Sequence, residues 1–388
     1  MQADEINRLF GIDESFMLPD KLMQLLFSDL IEDIYEKYIE LQKDLAYDGF
    51  TNYFQEEHSS RKAMMQDFTP KELSELVAKI AGGECSSCLD ICAGTGGLTI
   101  ALHNIAPECI FYCEELSQRA VPLLLFNLAV RNIDAFVSNK NVLTGEIVQN
   151  YRVRKCGKFG KIEKIGEIPN IPVDVCVTNP PYSLKWEYDE KQKDERFAEF
   201  GYPPKQFADL GFIIHGMSRL NEDKGRIIAI LPHGVLFRGN KEAEIRRKML
   251  EKGLVKSIIG LPDKLFLNTD IPVAIMEFCK QPSEQIIFID ASREFEKNKK
   301  KNRLTNENIK KILFALQNNT EIKKYSHMAD MAEIRVNEFN LNISRYVDMY
   351  EPPPKIDIVS VSKASSIKSQ NKSCSLQTGH FPERTCSM

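Results

Sequence analysis

The stretch Asp90-Ile91-Cys92-Ala93-Gly94-Thr95-Gly96-Gly97 decides the fold. It follows an apolar run from Cys88 that reads as a strand, and it opens GGLTIALHNIA, which reads as a helix. Glycines at such a junction permit the tight turn and let a ligand approach the backbone. The next strand, CIFYCEE, ends in Glu114 and Glu115. These acids fall about 20 residues beyond the loop, where a dinucleotide-type fold sets a carboxylate on ribose hydroxyls. The loop alone fits nicotinamide, flavin or S-adenosylmethionine proteins, or a plain strand–helix turn.

Working outward, a helix is expected over 117–131. VDVCVTNPPY then reads as a strand ending in a Pro-Pro loop. A helix over 205–221 carries Phe207, Leu210, Ile214 and Met217 on one face, GRIIAILPHG is a strand, and Lys241–Lys252 a helix. VKSIIGLP, IPVAIMEFC and QIIFIDA are further apolar strands. Strands alternating with helices of this length mean an α/β fold with a mostly parallel sheet covered on both faces. The last strands follow one another without a helix, so antiparallel pairing is expected near one edge. On the amino-terminal side, Leu22, Leu26, Leu30, Ile34 and Leu41 recur near helical spacing over 17–60, with Asp20 a candidate cap. A second helix is expected over 70–81, entered through Pro70. The Lys- and Asn-rich region 296–325 is expected to be partly helical, and no internal repeat is visible.

A second chemical signal is Thr178-Asn179-Pro180-Pro181-Tyr182, at the carboxyl end of a predicted parallel strand. Ligands in such sheets bind at that edge, so this loop and the glycine loop can face one crevice. The residue types suit a planar amino nitrogen such as adenine N6, whose lone pair delocalises into the ring. Such a nitrogen becomes nucleophilic when its N–H bonds meet acceptors. Asn179 offers a side-chain oxygen, and Pro180 a carbonyl held rigidly by the following proline. Tyr182 offers an aromatic face for an extruded base. A Pro-rich turn is the structural alternative.

The chain has 388 residues, which suggests a catalytic domain plus an appendage. Its start lacks the basic-then-apolar pattern of a signal peptide, and no run reaches the roughly 18 apolar residues of a membrane span. A cytoplasmic protein without a membrane partner is expected. Net charge is -4, from 51 Lys+Arg against 55 Asp+Glu. Unaided DNA binding favours basic excess, so any basic surface must be local. Two segments qualify: Arg152, Arg154, Lys155, Lys158, Lys161 and Lys164; and Lys297, Lys299, Lys300, Lys301 and Arg303. Either can equally be a solvated face. Among 10 cysteines, Cys85 and Cys88 have zinc-like spacing with Cys92, Cys109 and Cys113 nearby. Cys109 and Cys113 sit in an apolar run, so small buried residues are expected there and no metal.

Together the two loops resemble the adenine-N6 DNA methyltransferases. The blocks Gln66-Asp67-Phe68-Thr69-Pro70, DICAGTGGLTI, FYCEEL, VTNPPY, LPHGVLFRG, GLPDKLF, IPVAIMEF, FIDASREFEK and NLNISRYV occur in that order. Over about residues 60–350 they resemble the methylation subunit of type I restriction-modification systems. The resemblance implies a class I S-adenosylmethionine-dependent methyltransferase (Rossmann-like) fold with a helical N-terminal appendage. It implies S-adenosyl-L-methionine as cofactor, site-specific methylation of adenine N6 in DNA, and assembly with a DNA-specificity subunit and a restriction subunit. By the same resemblance Phe68, Thr69 and Pro70 lie at the methionine portion of the cofactor. Asp90, Cys92, Ala93, Gly94, Thr95, Gly96 and Gly97 form the cofactor loop, and Glu115, with Glu114 as substitute, takes the ribose. Asn141 stands where the family usually has an Asp at the adenine amine. Asn179, Pro180, Pro181 and Tyr182 serve the target base. His233 and Arg238 match family blocks without an assigned role, His233 reading as structural at a strand end.

The implied organisation is a helical region over 1–65, a catalytic domain over 66–292, a helical extension over 293–350 and a disordered tail over 351–388. The family usually has a longer helical region before the Phe-Thr-Pro block and a long helix after NLNISRYV; here the sequence departs from that pattern at about Ser365. The alternatives are a protein-glutamine or RNA-base N-methyltransferase, a cytosine-N4 enzyme, or a non-catalytic structural subunit.

Overall fold

The computed structural model describes residues 3–51, 53, 69–189, 193–266, 269–298 and 301–349. Phe68, Lys299, Lys300 and the tail expected from 351 lie outside the described residues.

The sheet grows from β1 (Ser87–Ile91), buried along its whole length. β2 (Ile110–Glu115) pairs parallel on one side and β6 (Val175–Thr178) parallel on the other. β3 (Ala135–Lys140) continues beyond β2, and β7 (Arg226–Pro232) beyond β6, both parallel. Successive crossovers leave β1 in opposite directions, so a crevice opens at the carboxyl ends of β1 and β6. Helices α4 (Lys71–Ala81), α5 (Gly97–His103), α6 (Val121–Val130), α7 (Asp209–Arg219) and α8 (Asn240–Glu251) alternate with these strands. The expected antiparallel pairing occurs where β9 (Val273–Cys279) inserts between β7 and β8 (Val255–Gly260) and opposes both. β10 (Gln285–Asp290) follows β8 in parallel. With β4 (Ile147–Arg154) and β5 (Lys161–Ile165) beyond β3 and β13 (Ser326–Asp330) beyond β10, the full order is β13-β10-β8-β9-β7-β6-β1-β2-β3-β4-β5.

Several elements differ from the sequence expectation. The hairpin of β4 (Ile147–Arg154) and β5 (Lys161–Ile165) forms the edge beyond β3. It contains the first basic segment, whose charges are largely spoken for. Arg152 meets Asp134, Arg154 and Lys161 meet Glu163, Lys155 meets Glu108, and Lys158 meets Glu36. The extension after 292 contributes a separate short hairpin, β11 (Glu296–Asn298) with β12 (Lys301–Arg303), beside the loop that follows β8, and the helix α9 (Asn306–Gln317). It also contributes β13 (Ser326–Asp330), which pairs antiparallel with β10. α10 (Met331–Val336) follows. Tyr346 of the NLNISRYV block stacks on Phe288 of β10 at 3.9 Å.

Among its described residues the amino-terminal region is not one continuous helix; it includes α1 (Ala3–Phe10), α2 (Leu18–Leu25) and α3 (Ile31–Gln42). Asp20 lies inside the first turn of α2 behind Pro19, so it is not the cap. Leu30 and Leu41 face solvent, because α3 buries an aromatic face, Tyr35 and Tyr38, instead. These rings, with Phe10 and Phe50, surround Phe126 of α6 at centroid distances of 4.9–5.6 Å. Apart from Asn127, α6 is apolar all round and it is wholly buried, which requires such a cover.

Candidate active site

The crevice holds a cavity of about 440 Å³. Thr69, Cys92–Thr95, Gly97, Glu115, Asn141–Thr144, Asn179 and Pro181 all line it. The two loops singled out in the sequence therefore open on one space, and Glu115 and Asn141 join them.

The glycine loop leaves β1 through Cys92, whose φ is 62°, then Gly94 at 58° and Gly96 at 96°. A Cβ on Gly96 would stand 2.9 Å from Leu124 Cδ1, so this turn packs on α6 only because the residue is glycine. Asp90 does not reach the cavity. It is fully buried, and its Oδ2 accepts hydrogen bonds from Thr99 N (3.2 Å) and Thr99 Oγ1 (2.6 Å), fixing the start of α5. Burial pushes its carboxyl up to about 7, against the pull of those two bonds.

Glu115 and Glu114 alternate across β2 and separate in role. Glu115 turns to the cavity, where Oε2 accepts from Gly94 N (2.8 Å) and Oε1 from Ser117 N (2.7 Å). Glu114 points the other way, 2.7 Å from His215 Nε2 and 3.2 Å from Lys140 Nζ. Burial opposes the Glu114 charge, but the His215, Lys140 and Arg219 side chains hold its carboxyl far below the usual range. Asn141 Oδ1 accepts from Leu143 N at 3.0 Å, shaping the loop that carries Val142 and Leu143 into the cavity.

At the end of β6, Asn179 Nδ2 donates to Thr69 Oγ1 (3.0 Å), bringing the Phe-Thr-Pro block against the Asn-Pro-Pro-Tyr loop. Asn179 Oδ1 accepts from the Tyr182 hydroxyl at 2.6 Å. Pro180 is buried, and its side chain is not part of the cavity lining. Tyr182 is only 4% exposed, edge-on to Phe266 at 5.9 Å, so its face is covered rather than open to a base. Ser183 N donates to Asp209 Oδ1 (2.9 Å). Arg238 bridges Asp209, Glu242 and Ser183 Oγ. Arg238 thus anchors the loop from behind. His233 Nε2 lies 3.1 Å from the Val273 carbonyl, a structural position at the end of β7.

Sequence reasoning missed Asp48. This buried carboxylate of the appendage accepts from Thr95 Oγ1 (2.5 Å) and Asn127 Nδ2 (2.8 Å), buttressing the glycine loop from outside. The Asp48-Gly49 turn dipeptide was its only local signal. Among the described residues, the cysteines other than Cys92 stand apart from this chemistry. Cys85 Sγ and Cys109 Sγ lie 3.6 Å apart, and among the described residues no His/Cys/Asp/Glu group could hold a metal.

A β1 glycine turn, a β2 carboxylate and a reversed strand inserted beside β7 define a class I S-adenosylmethionine-dependent methyltransferase fold. Within that class the chain belongs to the N-6 DNA methylase family, whose sequence profile matches residues 43–352. It is 28% identical over 391 residues to the type I restriction enzyme MjaVII methylase subunit of Methanocaldococcus jannaschii, covering 92% of this chain and 64% of that one. It is 29% identical over 308 residues to the MpnII methylase subunit of Mycoplasma pneumoniae, covering 75% and 54%. The crystal structure of a type I restriction-modification methyltransferase subunit from Streptococcus thermophilus superposes with a TM-score of 0.67 at 30% identity, covering 83% of this chain and 65% of that one. The chain thus spans between about half and two thirds of these relatives' lengths.

Proposed function

We propose that this chain transfers a methyl group from S-adenosyl-L-methionine to N6 of adenine in DNA, as the modification subunit of a type I-like system. The observation that carries the reading is the shared cavity, lined both by Asn179 and by the Gly94–Glu115 corner. The residues present suit the cofactor. The Glu115 carboxylate stands where ribose hydroxyls can donate to it, Val142, Leu143 and Phe212 give an apolar slot for a flat purine, and Asn141 stands beside that slot. Thr69 and Cys92 line the space towards Asn179. When bound, the cofactor supplies an activated methyl on a sulfonium.

The protein's task is then positional and electrostatic. Asn179 Oδ1 and the Pro180 carbonyl accept the N–H bonds of the target amine and stabilise the positive charge that develops on N6. Holding the amine in line with the methyl removes much of the entropic barrier. Tyr182 turns its ring to the base once its hydroxyl releases Asn179. The paired basic hairpin supports a division of labour in which a DNA-specificity subunit supplies much of the DNA grip. A restriction subunit completes the proposed assembly, and its DNA substrate places it in the cytoplasm. The described residues 3–51 act as a cover for the catalytic domain, and the extension after 292 as its second edge.

The test is tritiated methyl transfer to unmethylated DNA by the full chain, alone and with any specificity subunit encoded beside it. Label in N6-methyladenine is expected. Asn179→Ala should lose on the order of 100-fold or more in transfer while still binding cofactor. Near wild-type transfer by that variant overturns the assignment, and label only in protein or RNA moves the substrate.

A further inference from the structure

Arg196 lies in a short 3-10 turn (Glu195–Phe197) on the segment between the Asn-Pro-Pro-Tyr loop and α7. Its side chain leaves that segment and reaches the opposite wall of the cavity. Nη1 donates to the Val142 carbonyl at 2.7 Å and Nη2 to the Leu143 carbonyl at 3.0 Å. Nη1 also lies 2.9 Å from His215 Nδ1, while Nε and Nη2 hold Asp194. All the guanidinium donors are thereby engaged, a geometry that a lysine ammonium cannot reproduce. Arginine has no acceptor, so His215 Nδ1 must accept; the ring proton sits on Nε2 and is donated to Glu114 Oε2 at 2.7 Å.

The two walls so tied have different roles. Val142 and Leu143 belong to the loop that would take the cofactor's adenine. Next to Arg196, Phe197 packs on Trp186 (5.6 Å) and stacks on Tyr202 (4.7 Å). Trp186, with Leu184 and Lys185, lines the cavity just beyond Tyr182. From the tie across these walls we infer that Arg196 is a positioning residue that transmits cofactor occupancy to the target-base loop. An adenine moiety seated against Val142 and Leu143 fixes the two carbonyls, these fix the guanidinium, and the guanidinium fixes the Phe197–Trp186 wall. The inference rests on the proposed cofactor site, though not on the identity of the methyl acceptor.

Trp186 is the only tryptophan, so its fluorescence reports on this wall alone. The experiment titrates the full chain with S-adenosylhomocysteine and measures acrylamide quenching of Trp186 with and without saturating ligand, in wild type, Arg196→Ala and Arg196→Lys. In wild type, ligand is expected to lower the quenching constant at least twofold. In both variants the dissociation constant should rise about tenfold, and saturating ligand should leave quenching unchanged. Arg196→Lys keeps the charge beside Asp194 and serves if the alanine variant does not fold. Equal protection of Trp186 in wild type and a folded variant, or no protection in wild type, overturns the inference. Ligand binding and protection without methyl transfer to DNA sinks the substrate reading but leaves the inference standing. Failure of the wild-type chain to bind the ligand sinks both.

Discussion

Asp48 places a sharp demand on the cofactor loop. Its Oδ1 accepts from two N–H donors, Phe50 N (2.9 Å) and Asn127 Nδ2 (2.8 Å). Its Oδ2 accepts from two hydroxyls, Thr51 Oγ1 (2.8 Å) and Thr95 Oγ1 (2.5 Å). Asp48→Ala removes all four bonds. Each buried donor left without a partner costs about 1–3 kcal/mol. Asn127 keeps a second acceptor, the Thr95 carbonyl at 2.8 Å, and the hydroxyls can rotate. A loss of about 3–5 kcal/mol is therefore expected rather than the sum of four charged bonds. Asp48→Asn behaves differently. Its amide oxygen can stay on the two N–H donors while its NH2 faces two hydroxyls able to turn and accept, so the loss should be about 1 kcal/mol. Guanidinium chloride unfolding measures both values, and calorimetric titration with S-adenosylhomocysteine below the unfolding transition measures the loop. We expect affinity to fall at least tenfold in Asp48→Ala and by much less in Asp48→Asn. An alanine variant that loses under about 1 kcal/mol, or an asparagine variant as damaged as the alanine one, refutes the reasoning.

Asp90 makes stability depend on pH. Its folded carboxyl is pushed up to about 7 from 3.8, so the native state holds a proton that the unfolded chain releases, and stability falls as pH rises through that window. Between pH 5 and 8 this contributes a loss of about 2–3 kcal/mol, which Asp90→Asn should remove. Denaturation midpoints at the two pH values check it, and parallel pH slopes for variant and wild type count against it. Phe126→Ala removes the ring that four aromatic residues of the appendage surround. It should cost about 3–5 kcal/mol and open residues 1–50 to proteolysis before the remainder. A loss under about 1 kcal/mol with unchanged cleavage argues against that anchoring role.

The central strands and both loops were legible because the sequence there states its chemistry locally. A fully buried strand, a glycine turn and a polar strand end lie within a few residues of one another. The β4–β5 hairpin was not, because its apolar core positions, Tyr151 and Val153, alternate with Asn150 and Arg152, polar residues that are buried as well. Of the amino-terminal stripe Leu22, Leu26 and Ile34 are buried as its spacing implies, but on α3 tertiary packing chose Tyr35 and Tyr38 over Leu41, since Phe126 offers an aromatic surface. The sequence did hold one unread hint: PLLLFNLAV is apolar all round apart from Asn127, and such a helix needs a cover on the side away from the sheet. Asp48 and Arg196 were invisible for a different reason. Their partners lie far away along the chain (Thr95 and Asn127; Val142 and Leu143), and no period or spacing announces a contact at that range.

The hydroxyl of Tyr182 resting on Asn179 makes the site self-occupied: an oxygen that could receive the substrate's N–H already has a donor. Under the proposed reading, entry of a base is an exchange in which one donor leaves and another must replace it at equal value. A purine with an amino group completes the exchange. One with a carbonyl at that position sets oxygen against oxygen, and the tyrosine returns. Rejection of a deaminated base then needs no added bulk in the cavity, because the resting enzyme carries its own competitor on the same loop.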